Sequence, residues 1–254
     1  MSNPDANIHD RATGAAADTV AQHQDSQSLT FYAGWFCPFV QRSWIALEEK
    51  GVPYQYKEVN PYKKEAHFLA INPKGLVPSA EVEGTALYES LILNEFFEEY
   101  FPDSKPLLPT NPVEKARARI WIDFIAKTVT PGLMRVIMAQ DPEQQQKLLL
   151  EFYEALKTLT EQVRGPYFLG EEFSLVDAAI APWVVRDYVA AEHRGYSREA
   201  AGPKWVHYAA ALESRASVLK TSSDKQYYIQ IYTRYLKDEA QSEGAKALRQ
   251  GRAF

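Results

Sequence analysis

Clear patterning begins at Leu29. The run Leu29-Thr30-Phe31-Tyr32-Ala33 is β-branched and aromatic and stops at Gly34, which predicts a strand. Pro38 follows where a helix can start, because a proline in the first turn sacrifices no helical hydrogen bond. From Phe39 to Glu49, apolar Val40, Ile45, Ala46 and Leu47 mix with Gln41 and Arg42, and Gly51 closes the predicted helix. Val52–Val59 alternates as a second strand. A polar stretch at Lys63–His67 and a turn-rich Ile71–Pro78 then lead into a hairpin, with Ser79–Val82 and Thr85–Tyr88 on either side of a Glu83-Gly84 turn. Leu91, Ile92, Phe96, Phe97 and Tyr100 recur every three or four residues, which predicts a further helix.

That order, strand-helix-strand-hairpin-helix, is close to the thioredoxin plan and assigns 29–103 to a mixed α/β domain. The Pro-rich, polar stretch 104–112 has linker composition. Beyond it no segment reads as a strand. Glu114–Val129, Pro142–Val163, Ser174–Ala191 and Lys204–Leu219 carry helical periodicity, with breaks expected at Pro131-Gly132, Gly165-Pro166 and Gly202-Pro203. Residues 113–237 are therefore expected to form an all-helical domain. Residues 1–28, rich in Ala, Asp, Asn, Gln and Ser, have too few large apolar groups to offset the entropy of ordering and are expected to be a disordered tail. The charged stretch 238–254 is expected to fray.

Composition narrows the function classes. The 254 residues are 46% hydrophobic and 24% charged, ordinary for a globular protein, and the formal net charge is −5. A mildly acidic chain offers no electrostatic reason to bind nucleic acid or an anionic membrane. No apolar run is long enough to span a bilayer, and the first residues lack the order of a secretory signal or the Arg content of a transit peptide. A cytoplasmic location without stable membrane association is expected. The five histidines show no metal-ligand spacing, so no metal is expected. The single cysteine allows no internal disulfide, so any redox chemistry must use an external thiol.

Cys37 sits between a strand end and a helix start. Amide N–H groups and the positive end of the helix dipole there favour the thiolate and lower the thiol pKa towards neutrality. Val40 stands where a Cys-X-X-Cys oxidoreductase keeps its second cysteine, which leaves a monothiol cycle. Val77-Pro78 admits two geometries. A trans proline would open an edge strand; a cis one would turn the Val77 backbone towards the cysteine, ready to pair with an extended peptide. Glu89-Ser90 likewise admits simple capping, or an anion site in which Ser90 and first-turn N–H groups take a carboxylate while Glu89 accepts from an ammonium group. Taken with Cys37 and Pro78, the second reading describes a receptor for a zwitterionic γ-glutamyl peptide.

Cys37-Pro38-Phe39-Val40-Gln41-Arg42, Asn72-Pro73-Lys74-Gly75-Leu76-Val77-Pro78 and Glu89-Ser90, in that order, resemble the omega class of the glutathione transferase superfamily, over roughly 29–235. The resemblance implies an α/β thioredoxin-like N-terminal domain followed by an all-α C-terminal domain. It implies glutathione as co-substrate and Cys37 as the catalytic residue that forms a mixed disulfide with it. Phe39, Lys64 (with Lys63 as the neighbouring alternative), Val77, Pro78, Glu89 and Ser90 would contact glutathione. The implied activity is thiol transfer or reduction: of mixed disulfides, of dehydroascorbate, or of glutathionyl-aromatic ketones. A non-catalytic binder of aromatic small molecules is the alternative. A second-substrate pocket would draw on Trp35, Met134, Met138, Trp183, Arg186 and Tyr228, although such apolar stripes also suit a plain core. Ser174-Leu175-Val176-Asp177 resembles the family's capping box and is expected to serve folding. A homodimer is also implied.

Overall fold

The computed structural model describes residues 4–63 and 65–252. The chain divides into two compact units. One comprises Met1–Leu107 and Arg215–Tyr228, and the other Leu108–Ser214 and Ile229–Phe254.

The first unit is built on a four-stranded sheet in the order β2-β1-β3-β4. β1 (Leu29–Ala33) runs parallel to β2 (Gln55–Glu58) and antiparallel to β3 (Ser79–Val82), which pairs antiparallel with β4 (Thr85–Tyr88). The β3–β4 turn is the expected Glu83-Gly84, with both residues at positive φ (52° and 74°), the backbone that a two-residue hairpin with native twist demands. β1 is the most buried strand, with Leu29, Phe31 and Ala33 all inaccessible. Helix α2 (Pro38–Lys50) starts on Pro38 and stops at Gly51, whose left-handed φ of 61° lets its N–H return to Leu47 O. Helix α4 (Ser90–Tyr100) packs against α2, burying Leu93 and Phe97. A short helix, α3 (Ala66–Ile71), lies in the stretch read as polar connection; Phe68 anchors it under Tyr32 and Val59.

The expectation of a disordered tail over 1–28 does not hold for the described residues. Helix α1 (Gly14–Gln22) buries Ala16 and Thr19. The Thr19 hydroxyl donates to Lys220 O (2.8 Å), Thr13 N–H donates to Ser223 Oγ (3.1 Å), and Tyr56 N–H donates to His23 O (2.8 Å). Composition measured the segment's own apolar content, whereas its order comes from partners some 200 residues away.

The second unit is helical, as expected: α5 (Pro112–Phe124), a π-helical stretch at Ile125–Val129, α6 (Thr130–Met138), α7 (Pro142–Thr160), α8 (Leu175–Val184), α9 (Tyr188–Arg194), α10 (Arg198–Ala201) and α11 (Pro203–Ser214). Pro131-Gly132 is not a break. The π stretch widens the turn, Thr130 N–H reaches Ile125 O and the Thr130 hydroxyl donates to Ala126 O (3.5 Å), so the helix runs on through Pro131 into α6. The single helix expected over Ser174–Ala191 is instead two, interrupted after Val184, and Arg186 Nη1 donates to the buried carbonyl of Pro182 (2.6 Å). The helix expected over Lys204–Leu219 is divided at Arg215, with α12 (Ala216–Lys220) beyond it, followed by α13 (Lys225–Leu236). The 238–254 stretch, expected to fray, holds α14 (Glu243–Arg249), which docks Ala240 and Ala245 on Met138.

The capping box expected at Ser174 is present. Asp177 Oδ2 accepts from Ser174 N–H (2.8 Å) and Oγ–H (2.6 Å), while Oδ1 accepts from Phe168 N–H and Tyr208 O–H, both at 2.8 Å.

Candidate functional site

Cys37 caps the N-terminus of α2 with extended backbone (φ −77°, ψ 122°), and its N–H closes a turn onto Gly34 O (2.9 Å). The sulfur is half-buried, and its S–H points at Val77 O, 3.8 Å away. The α2 dipole therefore ends on the sulfur. A second positive source lies on the same helix. Arg42 is almost wholly buried, its guanidinium 5.3 Å from the Phe39 ring centroid. Burial brings Arg42 down to about 9, while the negative charge of the Cys37 sulfur acts to raise it. At neutral pH it remains a cation, and by reciprocity it favours the thiolate of Cys37.

The loop facing the sulfur is held by Asn72, whose Nδ2 donates to Leu76 O (2.9 Å) and Ser79 Oγ (3.1 Å). The Val77-Pro78 bond that follows is cis, the second of the two geometries the sequence admitted. At the far end of the hairpin, Glu89 is the residue before α4 and is held at φ 76°, a conformation costing a side-chain-bearing residue about 1–3 kcal/mol. Ser90 opens α4 and is buried, and its carbonyl accepts from Ser43 Oγ (3.1 Å), tying α4 to α2. Exposed Lys74 reaches Glu89 Oε1 (2.8 Å) and lies 5.0 Å from the Tyr88 ring centroid. Cys37, Phe39, Val77, Pro78, Glu89 and Ser90 thus all belong to the first unit, between the start of α2 and the start of α4. Lys64 lies outside the described residues. Its neighbour Lys63 is exposed and pairs with Asp10 (3.3 Å).

The six residues named for a second-substrate pocket are all buried. In the first unit, Trp35 and Tyr228 meet edge-on at 5.1 Å, and the Trp35 indole N–H donates to His9 O (2.8 Å). In the second, Met134 and Met138 lie on α6, Trp183 on α8 and Arg186 just beyond α8; their burial is that of core residues.

Two groups beside Cys37 carried no role in the sequence. Arg42 stood in the Cys-Pro-Phe-Val-Gln-Arg run, and only its burial reveals its leverage. Glu58 ends β2, and its Oε1 accepts from Trp35 N–H (2.9 Å), two residues before the cysteine. Alternation marked Glu58 as a strand residue but did not show what its carboxylate reaches.

A thioredoxin-like sheet with a thiol capping its first sheet-packed helix, joined to an all-helical unit, is the fold of the glutathione transferases. The N-terminal-domain model of the glutathione S-transferases matches residues 36–100 and the C-terminal-domain model matches 142–211. Glutathione S-transferase U25 of Arabidopsis thaliana is 34% identical over 199 residues, covering 78% of this chain and 90% of that protein. The probable glutathione S-transferase parC of Nicotiana tabacum is 34% identical over 194 residues, covering 75% and 87%. The crystal structure of glutathione transferase Omega 3C from Trametes versicolor shares 65% identity and a TM-score of 0.87, covering 91% of this chain and all of that one. This chain belongs to the glutathione S-transferase family. The omega-class resemblance read from Cys37-Pro38-Phe39 agrees with its similarity to the Trametes structure.

Proposed function

We propose that this protein is a glutathione-dependent thiol transferase and reductase acting through a Cys37–glutathione mixed disulfide. The observation that carries the proposal is the placement of the one cysteine in the chain: it caps α2, beside buried Arg42 and within 3.8 Å of Val77 O, with Val40 in place of a second cysteine. In the first half-reaction the Cys37 thiolate attacks the glutathione sulfur of a glutathionyl mixed disulfide. The old S–S bond breaks, and the other thiol leaves as a thiolate that takes a proton from solvent. In the second, the thiolate of a free glutathione attacks the enzyme-bound glutathione sulfur. Glutathione disulfide departs, and Cys37 returns as the thiolate.

Glutathione would lie extended along Val77, with its γ-glutamyl carboxylate at Ser90 and the α4 N-terminus and its ammonium at Glu89. Lys63 or Lys64 would face the glycyl carboxylate. Phe39 would wall the thiol side. A monothiol cycle suits a reducing, cytoplasmic setting, and a homodimer is the assembly proposed from family membership.

Intact mass after incubation with glutathione disulfide tests the cycle. The wild type should gain one glutathione, reversed by added glutathione, and Cys37→Ser should gain none. A wild type that takes up no glutathione would end the thiol-transfer proposal and leave a binder of aromatic small molecules as the reading.

A further inference from the structure

We infer that Glu58 is a positioning residue for the cysteine loop: its carboxyl group ties the Trp35 backbone to the N-terminal segment at Ala12, and loss of its proton loosens both. The geometry is specific. Glu58 closes β2 beside Ala33, its register partner on β1. Its carboxylate accepts from Trp35 N–H (2.9 Å), from Tyr56 O–H (3.2 Å) and from Ala12 N–H. The loop is pressed onto the same strand end, since a side chain at Gly34 would meet Val59 O at 3.1 Å and the Phe36 ring at 3.2 Å. The N-terminal segment is pinned beside it by Trp35 Nε1 donating to His9 O and Asn60 Nδ2 donating to Ala6 O. One carboxylate therefore sits where two chain segments and the strand end meet, two residues from the sulfur.

Ionisation matters because the buried charge loses more hydration than its three hydrogen bonds return, so the closed arrangement holds its proton more tightly than an opened one. Burial raises Glu58 to about 7 against the opposing pull of its three donors, which puts its proton in play near neutral pH. The titratable groups around it are few. Tyr56, from its own strand, is held neutral by burial and by the Glu58 charge, with Tyr54 and Tyr228 acting on it in turn. On the N-terminal segment, Asp10 and Arg11 flank Ala12 and are exposed, Asp10 pairing with Lys63, and the His9 ring lies on Tyr227. The cysteine loop contributes Cys37 itself. Among the described residues, none of these places a cation on the Glu58 carboxylate.

This role rests on reading Cys37 as the reactive thiol, but it is testable without glutathione. Hydrogen exchange, corrected for intrinsic rates, would follow the Trp35 and Ala12 amides from pH 6 to pH 8. Wild-type protection should fall about tenfold, while Glu58→Gln, near-isosteric and unable to titrate, should stay flat. Glu58→Asp should restore the pH dependence. Iodoacetamide alkylation of Cys37 should show a second inflection near neutrality in the wild type and a single one in Glu58→Gln. A flat wild-type profile, or the same profile in Glu58→Gln, overturns the inference; should Glu58→Gln fail to fold, the wild-type and Glu58→Asp profiles decide alone. Loss of the glutathione adduct with these profiles intact would sink the thiol-transfer proposal and spare this one.

Discussion

At the scale of single residues, the chemistry of this site is a matter of charge placed around one sulfur. Cys37 receives the α2 dipole along the helix axis and the Arg42 cation from within the same helix, both favouring the thiolate. Glu58, on the other side of the loop, carries a negative charge for part of the neutral range. Arg42→Met keeps a long apolar side chain in the buried position and removes the charge. Its expected effect is a Cys37 alkylation curve displaced to higher pH, with the rate at pH 7 down about threefold or more. An alkylation curve superimposable on that of the wild type would show that the helix terminus alone activates the thiol.

At the scale of elements, each helix end shows why its residues stand where they do. Gly51 closes α2, Asn111 Oδ1 accepts from Val113 and Glu114 N–H to open α5, and Asp177 serves α8 from inside. Asp177 is fully buried, and burial raises its pKa despite four donated hydrogen bonds. Asp177→Ala would leave the Ser174 and Phe168 N–H groups and the Tyr208 hydroxyl in the core without their acceptor, at a cost of about 1–3 kcal/mol for each buried group. Tyr208→Phe removes one bond and its donor together and should cost about 1 kcal/mol. Urea denaturation of the two variants should therefore show a several-fold larger loss for Asp177→Ala. Equal losses would mean that the capping bonds add little and the box is incidental.

At the scale of the whole chain, the first unit is discontinuous: it is finished only by the return of Arg215–Tyr228, which follows the Leu108–Ser214 part of the second unit along the chain. Glu49 on α2 is the main polar anchor for that return. It accepts from Arg215 Nε and Nη2 (2.6 and 2.7 Å), from Ser217 Oγ (2.6 Å) and from Lys105 Nζ (3.1 Å). Burial pushes the Glu49 pKa up, but the hydrogen bonds from Arg215, Ser217 and Lys105 outweigh it, and the net direction is down. A carboxylate depressed in the folded state adds stability that is complete above its unfolded pKa and is lost as pH falls through the folded one. Glu49→Gln should therefore be less stable than the wild type at pH 7, with the gap closing as the pH drops towards and below about 4. Thermal melts across that range check it, and a gap that stays constant with pH would remove Glu49 as the acid-sensitive anchor.

Local rules were enough for much of this molecule. A proline at a helix start, a glycine past its end, a two-residue hairpin turn and period-two strands depend on neighbours a few residues apart, so β1, α2, the β3–β4 hairpin, α4 and the Ser174 capping box were legible in the chain. The order Cys37, Val77-Pro78, Glu89-Ser90 was legible for the same reason, because each motif is a short stretch with its own backbone logic. What the tertiary structure decided depends on groups far apart in sequence. Helix α1 is ordered by residues near 220, which no composition window can register. The continuation of helix through Pro131 depends on a widened turn that the side-chain pattern does not encode. The burial of Met134, Met138, Trp183 and Arg186 was ambiguous because an apolar stripe looks the same whether it faces a ligand or a neighbouring helix. The leverage of Arg42 and Glu58 on the cysteine loop comes from low-dielectric surroundings, and these exist only once the chain has closed around them.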